Sequence, residues 1–146
     1  MKALSIYPEF AMAIATGEKS IEVRTWSTDY RGPILICSTA KKVFGTIPSH
    51  ALAVVDLVDV QPFRRDHLED AMLGPSEYQR GMFAWILDNN RLIKPIPVKG
   101  RLSLWNFDDD DKIIYIPEAE WVDSPEYGDN TDWYSKYWQD LVIGGK

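Results

Sequence analysis

The chain has 146 residues, 45% hydrophobic and 26% charged, which suits one ordinary domain able to bury a core without covalent staples. Its net charge of −6 argues against a general nucleic-acid coat protein, because non-specific binding draws on Lys and Arg neutralising phosphates. The single cysteine, Cys37, excludes an internal disulfide and speaks against a thiolate metal cluster.

The charge is unevenly spread. Residues 1–50 carry six basic and four acidic groups, residues 51–107 seven of each, and residues 108–146 three basic and eleven acidic. Exposed charges further apart than a Debye length, about 8 Å at physiological salt, are largely screened. A basic cleft can therefore persist on an acidic protein, and the expected division is a domain over 1–107 followed by an acidic, aromatic-rich extension over 108–146 that packs on it.

Residues 2–6 read as a first strand, with no signal peptide before it and no apolar run of membrane-spanning length, so the expected location is the cytoplasm, away from membranes. Pro8 suits the first turn of a helix, and Phe10, Ala11, Ile14 and Ala15 repeat at helical spacing until Gly17 stops it. A charged strand follows to about Trp26, with Ile21, Val23 and Thr25 on one face and Ser20, Glu22, Arg24 and Trp26 on the other. Ser27 to Asp29 turn, and residues 33–39 form an apolar strand ending in Ser38, Thr39 and the amines Lys41 and Lys42. The two runs read as walls of one polar cleft.

Residues 43–50 read as loop or short helix, and 51–60 as a β-branched strand with one solvated edge at Asp56 and Asp59. Asp66 to Glu69 has the spacing of a capping box ahead of a short helix, which makes His67 a surface residue. Residues 74–81 are loop. Phe83 to Leu87 and Leu92 to Val98 read as a hairpin turning at Asn89-Asn90, with Pro95 and Pro97 marking an edge, and residues 101–105 complete the set. In the extension, Trp133, Tyr134, Tyr137, Trp138, Leu141 and Val142 form one face of an amphipathic helix running from Thr131 to Gly144-Gly145. That face packs on its own domain, on a second copy or on a protein partner through Trp133 and Trp138. The expected class is α+β, mainly β: a small open barrel with short flanking helices and a C-terminal amphipathic helix.

Chemistry concentrates early. Glu22 and Arg24 share a strand face about 7 Å apart along the backbone, and Lys19 emerges beside them. One reading is a salt-bridged strand on a solvated face. A second has Arg24 and Lys19 hold a phosphate or base edge while Glu22 accepts from an exocyclic amine. A third makes Lys19 a base, which needs its pKa lowered to about 7 or 8 against the opposing pull of Glu22. Tyr30, Ser38, Lys41 and Lys42 are further groups available to cleavage chemistry, and Trp26, Tyr30 and Tyr78 are available for base stacking. The chain has no Walker loop, no G-x-G-x-x-G and no Cys/His metal spacing, so neither metal nor cofactor is expected.

Gly17, Lys19, Glu22 and Arg24 spell G-x-K-x-x-E-x-R. With Trp26, the Tyr30-Arg31-Gly32-Pro33 run to Lys41, the Gly81 to Leu87 segment and the Pro95 to Trp105 run, the sequence resembles the ASCH domain, a relative of PUA domains, in the manner of a single-domain bacterial or phage member. The resemblance implies a PUA-like barrel that binds RNA, other single-stranded nucleic acid, or a nucleotide or modified nucleoside in a cleft beside the helix-strand turn. Some bacterial members cleave single-stranded RNA, and shorter ones hydrolyse the amide of N4-acetylcytidine with a lysine and a threonine of the motif. On that pattern Lys19 matches the lysine, while Glu22 stands where the threonine would be. Residue chemistry and the resemblance taken together make Lys19, Glu22, Tyr30 and Ser38 the expected catalytic candidates and Arg24, Trp26, Arg31, Lys41, Lys42 and Tyr78 the expected nucleic-acid contacts.

Overall fold

The computed structural model describes residues 1–144. Six strands form one curled, half-barrel sheet: β1 (Lys2–Ile6), β2 (Ile21–Arg24), β3 (Gly32–Ser38), β4 (His50–Pro62), β5 (Phe83–Pro97) and β6 (Leu104–Asn106), in the order β2-β5-β4-β3-β1-β6. β1 and β3 pair parallel, with Ser5 opposite Cys37 and Ile6 opposite Ser38; every other pairing is antiparallel. The barrel-like, mainly β class expected from the sequence is thus the class observed.

Ile34, Leu35, Ile36 and Cys37 are all fully buried because β3 is covered on both faces. Ile34 and Ile36 join Leu4, Leu52 and Trp85 under helix α1 (Pro8–Thr16), while Leu35 and Cys37 join Ala3, Val54 and Ile93 on the other side. Burial pushes the Cys37 thiol up to about 12, so it is an inert core atom. Helix α1 ends where the sequence places its stop: Gly17 takes a left-handed conformation with φ 87° and donates to Ile14 O at 3.1 Å. The Asn90 side-chain amide, donating at 2.9 Å to Ala15 O, caps the same end from across the sheet.

Four sequence expectations need correction. Asn89-Asn90 does not close a hairpin: β5 runs unbroken through it, because β4 pairs with both halves, Asp56 opposite Asp88 and Ala53 opposite Leu92. The local turn chemistry survives only as a bulged stretch in which Asn89 has φ 53°. The capping box at Asp66 to Glu69 is replaced by one 3-10 turn, Arg65–His67, in which the Arg64 backbone N–H donates to His67 Nδ1 at 3.0 Å. His67 is consequently buried rather than superficial, with Nε2 facing Gln61 Oε1 at 3.2 Å and its ring parallel to Phe63.

The C-terminal segment is helical, but not a regular α-helix. It widens to a π turn over Tyr134–Trp138 and tightens to a 3-10 turn over Gln139–Leu141, so its side chains leave the 3.6-residue spacing. Trp133 and Trp138 meet edge to face at 4.8 Å, and Trp138, 2% exposed, enters the main core with Val142 and Ile116. Backbone bonds between Gly45 and Ile143 and between Ile143 and Thr46 fasten the segment down. Gly145 of the expected stop lies outside the described residues. A four-residue helix, α2 (Glu118–Trp121), precedes it, and the Asp108 to Asp111 run includes the carboxylate that holds the Met1 ammonium at 3.0 Å, that of Asp110. Among the described residues no helix is long and apolar enough to cross a membrane.

Candidate functional site

The parallel pairing of β1 and β3 sends both strands out at the same end of the sheet, where Thr39 donates its backbone N–H to Ile6 O at 2.9 Å. The turn after α1 brings β2 alongside this end, and the segment after β4 closes over it: the N–H groups of Ser20 and Ile21 both reach Asp70 O, at 3.0 and 3.2 Å. Between these elements lies a cavity of about 440 Å³ lined by Ser5, Tyr7, Phe10, Lys19, Glu22, Arg24, Thr39 and the apolar groups of Ile6, Val23, Leu73 and Leu102. That volume falls within the range of about 300 to 1,000 Å³ usual for small-molecule sites.

Lys19, Glu22 and Arg24 form a chain across the cavity. Lys19 Nζ stands 3.6 Å from Glu22 Oε1, and Arg24 Nη1 stands 3.3 Å from Glu22 Oε2. The Lys19 and Glu22 side chains are only 2% and 7% exposed, while Arg24 reaches the opening. Lys19 also donates to Ala71 O at 2.5 Å and lies 5.0 Å from the Phe10 ring centroid. Burial pulls the Lys19 amine below its ordinary value, against Glu22 and, more weakly, Glu77. Burial likewise pushes the Glu22 carboxyl up, against Lys19 and Arg24. Burial thus opposes charge on both partners, while their mutual attraction favours it.

The remaining residues of interest divide. Lys41 sits at the rim, its Nζ 4.3 Å from the ring centroid of the cavity residue Tyr7. Lys42 is exposed beside it and does not line the cavity. Trp26 packs edge to face on Trp85 at 4.7 Å, accepts the Trp85 indole N–H on its carbonyl, and carries the Arg24 guanidinium 5.7 Å from its ring centroid. Trp26 does not itself line the cavity. Ser38 is fully buried, its Oγ bridging the backbone N–H and C=O of His50 at 3.1 and 3.2 Å. The Tyr30 hydroxyl donates to Pro33 O at 2.7 Å, and Arg31 is taken up by the Thr28 and Tyr30 carbonyls and by Asp59 at 3.7 Å. Tyr78 packs on Phe63 under Arg65. Ser38, Tyr30, Arg31 and Tyr78 therefore lie outside the lining of this cavity.

Sequence reading missed Ser5, Tyr7, Phe10, Thr39 and Leu102. The available signal was topological: a short strand, a helix and a third strand able to pair parallel with the first bring Tyr7 and Thr39 together at the strands' carboxyl ends. Among the described residues no three His, Cys, Asp or Glu side chains converge as a metal site requires.

A family model described as the ASCH domain matches residues 4–115. Among solved structures, the crystal structure of ASCH from Zymomonas mobilis is similar at a TM-score of 0.59 and 20% identity, covering 75% of this chain and 89% of that one. A single-residue variant of the same Zymomonas mobilis protein superposes with the same TM-score and identity, covering 75% of this chain and 91% of that one. No curated protein matches the chain.

Proposed function

The chain belongs to the ASCH domain family, whose fold is PUA-like and whose members are generally RNA-binding-like, and on that footing we propose that its cavity recognises one nucleotide of a single-stranded RNA. The observation that carries this reading is the buried Lys19, Glu22 and Arg24 chain opening onto a cavity with aromatic walls. Glu22 has both oxygens engaged by cations yet retains lone pairs that can accept from an exocyclic amine, as carboxylates do with cytosine. Tyr7 and Phe10 offer ring faces, and a stacked base contributes about 1 to 3 kcal/mol. Arg24, at the opening, is placed for the phosphate and has the forked geometry that suits it. Low-salt fluorescence anisotropy with labelled single-stranded RNA tests this: Arg24→Ala loses about tenfold or more in affinity, from a charge-assisted bond of roughly 1.5 to 3 kcal/mol. Unchanged affinity refutes it.

The Lys19–Glu22 contact favours a second reading, hydrolysis of the bound RNA or of an acylated cytidine, with Lys19 moving the proton. Thr39 is a hydroxyl side chain lining the same cavity, and its Oγ1 has no hydrogen-bond partner among the described residues. Incubation with mixed RNA and with acetylated cytidine, with and without magnesium, read by mass spectrometry, decides it: products absent in Lys19→Met support hydrolysis, and no products from the wild type exclude it.

A further inference from the structure

A second hollow of about 520 Å³ adjoins the first and shares Ser5, Arg24, Thr39 and Leu102 with it. The loop from Val98 to Ser103 forms its outer wall, and that loop is fixed in place. Val98 donates to Ser49 O at 2.9 Å, and Ser49 donates to Thr39 O at 3.0 Å, so the loop is laced to the cavity floor through two backbone bonds. Gly100 approaches so closely that a Cβ there would stand 2.8 Å from Ser5 Oγ, an atom that already accepts the Trp105 indole N–H at 3.1 Å. Arg101 lies 6.0 Å from the Trp105 ring centroid.

Among the described residues the lining carries three cations, Arg24, Lys99 and Arg101, and no carboxylate, on a protein whose net charge is −6. It is too roomy for a phosphate alone, being somewhat larger than the cavity assigned to one nucleotide. Leu102 is 93% exposed and borders both hollows. A large apolar side chain held in water at the divide between two cavities has the position of a wedge between neighbouring bases. Recognition of single-stranded RNA commonly splays bases apart in this way.

We propose that the second hollow takes the adjacent nucleotide of the strand, so that the ligand unit is two successive, unstacked ribonucleotides parted by Leu102. The phosphodiester between them rests on Arg24, the cation common to both hollows, and the outer phosphate on Lys99 and Arg101. This rests on the nucleotide-binding reading of the first cavity and adds that a free nucleoside or a mononucleotide is only a partial ligand.

Calorimetric titration of the full chain with ribonucleosides, their 5′-monophosphates and mixed ribodinucleotides tests it. A dinucleotide binds the wild type about tenfold or more tightly than the better monophosphate, the second base and its phosphate each adding to affinity. In Leu102→Gly, and in the exposed double variant K99E/R101E, that ratio falls towards one. Circular dichroism confirms that both variants stay folded. Monophosphates that bind as well as dinucleotides, or a ratio unaltered in both variants, overturn the two-nucleotide assignment and leave the first cavity's reading standing. Absence of binding by all three ligand classes overturns both.

Discussion

Lys19 Nζ and Glu22 Oε1 lie 3.6 Å apart with both side chains almost wholly withdrawn from water. Such a pair gains strongly from mutual attraction but loses two hydration shells, and the balance depends on each having its partner. Glu22→Ala therefore leaves the Lys19 ammonium buried with little beyond the Ala71 carbonyl, and should cost about 3 to 5 kcal/mol in urea unfolding. The double variant Lys19→Met/Glu22→Leu should recover most of that loss while abolishing RNA binding. A double variant no more stable than Glu22→Ala would show that the pair is not the source of the effect.

The same burial gives the pair a pH signature. The Glu22 carboxyl titrates above its usual 4.5 when folded, so its contribution to stability is full below 4.5 and is lost as pH rises through the folded value. Lys19 has the opposite sign: its contribution is full above the usual 10.5 and is lost as pH falls through its depressed folded value. Relative to Glu22→Gln, which cannot ionise there, the wild type should therefore lose stability as pH climbs from 4.5 towards neutrality. Thermal unfolding of both proteins across that interval measures this, and a difference that runs the other way contradicts the assigned shift.

Trp138 ties the acidic extension to the domain. Its ring is almost fully buried beside Ile116 and Val142, and its Nε1 has no hydrogen-bond partner among the described residues. Trp138→Ala should cost about 3 to 5 kcal/mol of stability. Trp138→Phe should recover much of this, since no hydrogen bond is lost with the indole nitrogen. Urea midpoints decide it: a loss below about 1 kcal/mol for the alanine variant would mean the extension is not part of the cooperative core.

The charged strand was legible because a period of two puts Glu22 and Arg24 on one face wherever the strand lies, and the Gly17 stop fixes where Lys19 emerges. The stretch at Asn89-Asn90 misled because its local turn preference is outweighed by β4, whose pairing with both halves of β5 holds the strand through. His67 was hidden for a similar reason: its burial depends on Gln61 and Phe63 rather than on its sequence neighbours. The loop bearing Lys99, Arg101 and Leu102 comes to the cavity because Leu104 pairs with Leu4 on one side and Val98 bonds Ser49 on the other, long-range pairings that no local pattern encodes. For Ser38 and Tyr30 the sequence shows the hydroxyls but not their orientation, which backbone partners determine.

Whether RNA sits in the cavity beside Lys19, Glu22 and Arg24 is read by amide NMR on the labelled protein during titration with a short single-stranded RNA. Shifts should concentrate on residues 5–10, 19–24, 39–41 and 98–103 and leave the 132–141 segment unmoved. Shifts confined to that C-terminal segment, or none at RNA concentrations that saturate binding, would contradict it.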